Sequence, residues 1–168
     1  MQIRPIEEPE IQPLGELIVS AYSSQGPLSG EYAETLRDVA SRVREASVLV
    51  AVNGDGRVLG GVTYVDSPDN VYAEFTAPDD SAFRMLAVDP TNQGGGVGRA
   101  LVEAVIERAR QDGKRRLTLL TAPWMEAAHR LYARLGFVPA PELDKVVESG
   151  LRLRGFALEL DDPANDKG

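Results

Sequence analysis

The sequence of 168 residues predicts a mixed α/β fold, in which helices cover a central sheet. Apolar residues recur at helical spacing in several segments, while short apolar runs bounded by turn residues are typical of strands. The two kinds of segment follow one another as strand, two helices, three strands, helix, strand, helix and strands. No repeat or linker interrupts this order, so we expect one domain over 1–168 with a frayed, charged tail at 161–168.

The N-terminal part is predicted to contain a strand, two helices and two strands, in the order Gln2–Pro5, Glu10–Ser23, Glu31–Ala46, Ser47–Val52 and Val58–Val65. The last two strands are separated by Asn53-Gly54-Asp55-Gly56. Because Asn-Gly and Asp-Gly pairs adopt the positive φ values of tight turns, this tetrapeptide predicts a hairpin.

The C-terminal part begins with the polar segment Asp66–Ser81, which contains a possible short strand at Val71–Phe75. The elements after it are predicted as strand, helix, strand, helix and strand over Ala82–Val88, Gly98–Asp112, Arg116–Ala122, Pro123–Leu135 and Leu151–Leu160. Pro123 can open its helix and Gly136 can end it. Within the last strand the alternation changes phase at Gly155, which predicts a bulge or bend there.

Composition excludes several classes of function. The chain carries 18 basic and 26 acidic residues, a net charge of -8, which argues against nucleic acid as a partner. It has no cysteine, so disulfides and thiolate zinc sites are excluded, and its one histidine with scattered carboxylates does not predict a metal site. No apolar run approaches the ~18 residues of a membrane span, and no secretory signal is visible. We therefore expect a cytoplasmic protein.

The most informative segment runs from a strand through glycines into a helix, over Leu86–Leu101. Glycine has no Cβ, so the N–H groups of Gln93-Gly94-Gly95-Gly96-Val97-Gly98 can converge on an anion. The helix that follows adds unpaired N–H groups and the positive end of its dipole. The segment therefore predicts a phosphate or pyrophosphate site that needs no lysine.

Two phosphate-binding motifs do not fit this loop. A Walker A motif needs Gly-Lys-Ser/Thr, which does not occur here, and Arg99 stands five residues after Gly94. The dinucleotide motif G-x-G-x-x-G fails at Arg99 and at Leu101. The pattern Arg/Gln-x-x-Gly-x-Gly/Ala remains, and Gln93–Gly98 matches it at every fixed position.

This pattern resembles the coenzyme A loop of the GNAT N-acetyltransferase superfamily. Two further segments are similar to the same family: Met85–Pro90 resembles its strand before the loop, and Ala128–Phe137 its helix with a tyrosine before Leu-Gly-Phe. The resemblance implies a mostly antiparallel sheet, splayed between two strands, with helices on both faces. It also implies an acyltransferase that uses acetyl-coenzyme A as its acyl donor.

The resemblance implies roles for particular residues as well. The cofactor would be held by backbone groups of one strand and one loop, namely Leu86, Ala87, Val88, Gln93, Gly94, Gly95, Gly96, Val97, Gly98 and Arg99. The Val88 N–H would polarise the thioester carbonyl, and Tyr132 would protonate the leaving thiolate. Tyr132 also fits the apolar stripe of its helix, so a purely structural role is the alternative.

One position departs from the family pattern. Where the family often has asparagine, this chain has Met125, so the polar contact is lost or is supplied elsewhere, with Thr121 or a backbone carbonyl as candidates. Met125 can equally be a core residue. Trp124 either lines the acceptor pocket or packs in the core.

The general base is not assigned by the sequence. Glu74, Asp79 and Asp80 stand in the polar segment before the central strand, where solvated carboxylates are the common case. His129 lies off the apolar stripe of its helix and is expected to be exposed. With one histidine and no cysteine, a nucleophile triad is not supported.

Two functional hypotheses remain open from the sequence. The first is acetyl transfer to an amine of a small molecule, a protein amino terminus or a lysine. The second is a non-catalytic acyl-coenzyme A-binding sensor module. Acceptor pockets in such folds involve Ser23–Tyr32 and Asp66–Ser81, which carry no specific signal here, and the bend expected in the last strand suggests a homodimer surface.

Overall fold

The computed structural model describes residues 1–160, so the predicted frayed tail at 161–168 lies outside the described residues. Within them the chain forms eight strands, most of them antiparallel, and five α-helices, in agreement with the predicted fold class. The chain divides into two compact units. The first consists of Met1–Tyr64 and Arg84–Val105, and the second of Val65–Phe83 and the chain from Ile106 onward.

The sheet of the first unit is built from strands that are consecutive in the chain, and the first three pair antiparallel. These are β1 (Gln2–Pro5), β2 (Ser47–Val52) and β3 (Val58–Val65), followed by the second half of β4 (Asp80–Val88). The predicted hairpin turn between β2 and β3 is confirmed, since the Gly56 N–H donates to the Asn53 carbonyl at 3.0 Å. Gly56 has a φ of 81°, a conformation that suits a residue without Cβ.

Three helices cover this unit: α1 (Ile11–Ser23), α2 (Gly30–Arg37) and α3 (Val39–Glu45). The prediction of one helix over Glu31–Ala46 is therefore wrong. The chain leaves helical geometry at Asp38, with φ −80° and ψ 64°. The Asp38 carboxylate accepts the backbone N–H of Ser41 at 3.2 Å and its hydroxyl at 2.7 Å, so it caps a new helix.

The core of the first unit lies between these helices and the sheet. Leu14 and Ile18 of α1, Leu36 of α2 and Val50 of β2 are at most 2% exposed. Arg42 of α3 is equally buried, and its guanidinium donates to the carbonyls of Thr35 and Leu36, both at 2.6 Å. The Arg42 guanidinium thus provides hydrogen-bond donors for two of the last carbonyls of α2.

The second unit contains a mixed part of the sheet. The first residues of β4 pair in parallel with β5 (Arg116–Thr121), from Asp80↔Arg116 to Ala82↔Thr118. β5 continues to Thr121 in an antiparallel pairing with β8 (Arg152–Glu159). The short strands β6 (Val138–Pro139) and β7 (Lys145–Val146) pair with β8 and were not predicted.

The bulge expected at Gly155 is absent, because β5 and β8 stay in register from Arg116↔Glu159 to Thr121↔Arg154. The apolar alternation along β8 changes phase at Gly155 because a different segment of the chain packs beside the strand from that residue onward. A Cβ on Gly155 would lie 2.5 Å from the Leu143 Cβ, so the segment between β6 and β7 packs directly on the glycine. The Asp144 carboxylate accepts the Gly155 N–H at 2.8 Å and completes the edge.

The remaining helices are α4 (Val97–Gln111) and α5 (Glu126–Arg134). The helix predicted from Pro123 begins three residues later, with Met125 as its N-cap residue. The strand suggested at Val71–Phe75 is absent; Asn70 forms a turn there, and buried Phe75 packs against Val65 and Ala82. Among residues 1–160, no helix is long and apolar enough to span a bilayer.

Candidate functional site

The cofactor-binding residues predicted from the sequence lie in the first unit, at the end of β4 and in the loop that follows. Met85 of β4 has a φ of 56°, which is uncommon for a residue with a side chain. Its side chain is 5% exposed and packs in the core of the first unit. The left-handed residue interrupts the regular strand geometry immediately before Leu86–Val88, the segment predicted to pair with the pantetheine arm.

Asp89 forms the corner between β4 and the loop. Its backbone N–H donates to the Leu59 carbonyl of β3 at 2.8 Å. Its carboxylate accepts the Thr91 N–H at 2.9 Å and the Thr91 hydroxyl at 2.8 Å. The other carboxylate oxygen lies 2.6 Å from the Arg57 guanidinium. These contacts, with the Thr91 N–H foremost, lower the pKa of the Asp89 carboxyl and keep it ionised.

The loop is held against β3 by a close approach of the backbone. A Cβ built on Gly60 would lie 2.6 Å from the Ala87 carbonyl oxygen and 3.1 Å from side-chain atoms of Val97 and Leu101. Val97 and Leu101 are at most 4% exposed, so the first turn of α4 is anchored in the core. Neither Gly60 nor Arg57 belongs to a local motif, so the sequence alone did not indicate them.

The glycines of the loop face solvent. Gln93, Gly94, Gly95 and Gly96 are exposed, and Gly94 and Gly96 have φ values of 87° and 84°. Within the part of the chain that the structure describes, no acceptor pairs with the N–H groups of Gly94–Arg99. A row of free N–H groups at the start of a 15-residue helix fits a pyrophosphate, since both the donors and the dipole favour an anion.

Tyr132, the predicted general acid, lies on α5 in the second unit. It is 5% exposed, and its ring packs against Phe83, Phe137 and Phe156 at centroid distances of 5.8, 5.8 and 6.3 Å. Burial raises the pKa of the Tyr132 phenol and so favours its protonated form further. Among residues 1–160 this hydroxyl has no hydrogen-bond partner, which leaves its proton available to a bound group.

His129 contradicts the expectation of an exposed side chain, because it is half-buried. Its Nε2 lies 3.1 Å from the Ala122 carbonyl oxygen and 3.2 Å from the Thr121 hydroxyl. Burial lowers the pKa of the imidazole, and the charge of Arg154 lowers it further. The prediction failed because the partners of His129 lie at the end of β5 and in the turn after it, outside the helical pattern from which exposure was inferred.

The acidic candidates for a general base have different surroundings. The Asp80 carboxylate is buried and receives two bonds from Arg116, at 2.8 and 3.1 Å, so it is a structural partner of that guanidinium. Glu74 lies 3.2 Å from the Lys145 ammonium group, and Asp79 is exposed. None of these contacts identifies a base.

A cavity of about 400 Å³ opens in the segment between β3 and β4, which the sequence suggested as part of an acceptor pocket. Its lining consists of Ser67, Pro68, Asp69, Phe75, Thr76 and Pro78. The acceptor role of this segment stays a prediction.

Comparison with known proteins agrees with this geometry. The model of the acetyltransferase (GNAT) family matches residues 12–137. The chain therefore belongs to the GNAT family of acetyltransferases, enzymes that use acetyl-coenzyme A as acyl donor.

A mycothiol acetyltransferase of Frankia alni is 32% identical over 153 residues, which cover 83% of this chain and 44% of that protein. The chain thus spans less than half the length of this relative.

Solved structures share the fold over nearly the whole chain. The Salmonella typhimurium protein yncA, solved with its cofactor acetyl-coenzyme A, is 25% identical with a TM-score of 0.71, covering 96% of this chain and 94% of that chain. A GNAT acetyltransferase from Staphylococcus aureus Mu50 has a TM-score of 0.75 at 17% identity, covering 95% and 99%. The ribosomal-protein-S18-alanine N-acetyltransferase of Escherichia coli has a TM-score of 0.68 at 22% identity, covering 95% and 94%.

Proposed function

We propose that this protein transfers the acetyl group of acetyl-coenzyme A to a primary amine by direct attack, with Tyr132 as the general acid. The amine nitrogen would form a bond to the thioester carbonyl carbon, and the carbon–sulfur bond would break. The leaving thiolate would take the phenolic proton of Tyr132, while the amine releases its proton to a base or to water. The Val88 N–H is the proposed donor to the developing oxyanion.

The observation that carries the proposal is the Tyr132 hydroxyl, which has no hydrogen-bond partner among residues 1–160 although the residue is only 5% exposed. A phenol whose pKa is raised stays protonated at neutral pH, as a general acid must. The raised pKa also makes it a weaker acid than an exposed phenol. A thiolate leaving into the same dry surroundings becomes more basic for the same reason, since burial disfavours both anions. Transfer depends on the difference between the two pKa values, and burial shifts both in the same direction.

The cofactor part of the proposal rests on different residues. The free N–H groups of Gly94–Arg99 would hold the pyrophosphate, and backbone groups of Leu86–Val88 would pair with the pantetheine arm. Neither contact requires a charged side chain, because both use the backbone.

The test is thiol release from acetyl-coenzyme A in the presence of a panel of amines: a polyamine, an amino sugar, free amino acids, and peptides with a free amino terminus or a lysine. We expect at least one amine to raise release well above hydrolysis. Tyr132→Phe should bind coenzyme A with unchanged affinity and lower kcat by at least about tenfold. A rate equal to the wild-type rate would exclude Tyr132 as the acid.

The panel also tests the sensor hypothesis. Tight binding of acetyl-coenzyme A with no release across all amines would favour a non-catalytic module. Calorimetry with coenzyme A therefore tests cofactor binding by the loop, and the release assay tests acetyl transfer.

Location, domain organisation and assembly stay proposals. We propose a single acyltransferase domain that acts in the cytoplasm, as the absence of cysteine suggests. A homodimer was expected at a bent last strand. No bulge interrupts the register of β8 with β5, and we propose β8 with its neighbours β6 and β7 as the surface between two copies. Light scattering at several protein concentrations measures the assembly directly.

A further inference from the structure

His129 and Tyr132 lie three positions apart on α5, so they share one face of the helix. Both rings pack against the same partner, Phe156 of β8, at centroid distances of 5.7 and 6.3 Å. The guanidinium of Arg154 stands 5.6 Å from the centre of the Phe156 ring. The position of the Tyr132 ring is therefore linked to that of His129 through a shared aromatic neighbour.

His129 also connects α5 to the end of β5. The Ala122 carbonyl oxygen can only accept a hydrogen bond, so the Nε2 atom 3.1 Å away carries the proton. Thr121, whose hydroxyl lies 3.2 Å from the same nitrogen, is the last residue of β5. One imidazole thus contacts the strand end, the turn after it and the aromatic cluster.

The helix needs such a connection. α5 has nine residues, fewer than the roughly 12–15 that an isolated helix requires, so tertiary contacts hold it in place. Its N-cap residue, Met125, provides no side-chain hydrogen bond to the first turn. His129 is one turn further along, and helical side chains point toward the N-terminus, which directs the imidazole to the uncapped end.

Burial, more than the neighbouring charges, lowers the pKa of His129 and favours its neutral form. Burial and Arg154 of β8 oppose protonation, whereas Glu126 on its own helix and the Ala122 carbonyl favour it, and the former dominate. The neutral ring then has a single N–H, which the Ala122 carbonyl oxygen accepts.

We propose that His129 is a positioning residue for Tyr132: its hydrogen bond to Ala122 and its contact with Phe156 hold the first turns of α5 against β5 and so orient the phenol. This inference rests on the proposed role of Tyr132. A displaced phenol affects proton transfer in the transition state more than it affects cofactor binding, so the loss falls on kcat.

Two substitutions separate the parts of this contact. His129→Phe keeps a ring against Phe156 and removes the donor, while His129→Gln keeps an N–H donor that can reach the Ala122 carbonyl. With the fastest amine of the panel, we expect His129→Phe to lower kcat about tenfold and to change the KM for acetyl-coenzyme A by less than about threefold. His129→Gln should retain kcat within about threefold of the wild-type value.

The double substitution tests the link to Tyr132. If His129 acts through the phenol, His129→Phe should lower kcat by less than about twofold in a Tyr132→Phe background. Leu143→Ala, which shortens a half-buried side chain between β6 and β7 and keeps the Cβ beside Gly155, is the matched control. It should lower thermal stability and leave kcat at a temperature below unfolding unchanged.

The outcomes distinguish this inference from the proposed function. Wild-type activity in Tyr132→Phe would overturn the proposed function and this inference together. A slow Tyr132→Phe beside a normal His129→Phe would overturn the inference alone, as would a fully additive double substitution. A folded but inactive His129→Gln would show that the imidazole itself transfers a proton. Should His129→Phe fail to fold, His129→Asn, whose shorter amide does not reach Ala122, replaces it with the same expected loss in kcat.

Discussion

The guanidinium of Arg57 lies 2.6 Å from the carboxylate of Asp89 and joins the start of β3 to the corner before the glycine loop. The two residues are 32 positions apart in sequence. Asp89 also binds the backbone and the hydroxyl of Thr91. The ion pair therefore stabilises the turn that leads into the glycine loop.

Arg57→Gln should weaken coenzyme A binding by about threefold and leave kcat at saturating cofactor unchanged. The effect is small because the Arg57 side chain is 57% exposed, and exposed ion pairs contribute roughly 0.2–1 kcal/mol. Calorimetry with coenzyme A measures the change. Arg37→Gln, which breaks an exposed pair with Glu16 on the helices, is the control and should leave affinity unaltered. If both variants bind coenzyme A with the same affinity, Arg57 does not stabilise the loop.

Gly96→Ala should weaken coenzyme A binding by about tenfold. Gly96 has a φ of 84°, where a Cβ costs roughly 1–2 kcal/mol, so the loop would relax away from the conformation that directs its N–H groups outward. The space around the new Cβ is open, and a steric clash would not explain the loss. Gly54→Ala, in a turn with open space and no positive φ, is the matched control. If Gly96→Ala binds coenzyme A as tightly as the wild-type protein, the loop accepts a side chain at this φ without loss of affinity.

Gly60→Ala should destabilise the protein by about 1–3 kcal/mol, because the new Cβ would approach the Ala87 carbonyl oxygen to 2.6 Å. Either β3 or the end of β4 must move. The expected fall in Tm is about 3–10 °C for a chain of this length. Thermal unfolding followed by circular dichroism measures it, again with Gly54→Ala as the control. An unchanged Tm would show that β3 and the end of β4 can move apart at Gly60 without loss of stability.

The protein should lose stability as the pH falls below about 6.5, through His129. Its folded pKa is lowered from 6.5, so the unfolded chain takes up a proton at a higher pH than the folded chain does. The free energy of unfolding therefore decreases from about pH 6.5 down to the folded pKa. Carboxyl groups with lowered pKa values, such as those of Glu10 and Asp89, lose their contribution only at lower pH.

His129 is the only histidine, so its ring proton resonance can be followed by NMR without assignment of the other residues. The midpoint should lie below 6.5, and thermal unfolding of His129→Gln should show a flat pH dependence between about pH 7.5 and 5.5. A midpoint at or above 6.5 in the wild-type protein would contradict the described burial of the ring.

Local patterns predicted most of the elements correctly, and their failures have local causes. β1, β2 and β3 have the predicted bounds, since apolar runs and turn residues act on their own neighbours. The second helix was predicted as continuous because its apolar spacing persists through Asp38, although the Asp38 side chain caps a new helix at Ser41. β6 and β7 have two residues each, which is too short for a hydrophobic pattern to predict a strand. They are strands because they pair with β8.

The sequence by itself determined the glycine loop and the helix that follows it, and it placed Tyr132 on a helix with a defined apolar face. These features depend on backbone freedom and on residues a few positions apart, which a sequence displays directly. The tertiary structure decided how they are supported. Arg57 contacts Asp89 across 32 positions in sequence, and His129 packs against Phe156 of β8. Such contacts arise only when the sheet brings distant segments together, because no local propensity encodes which strand end a helix will face.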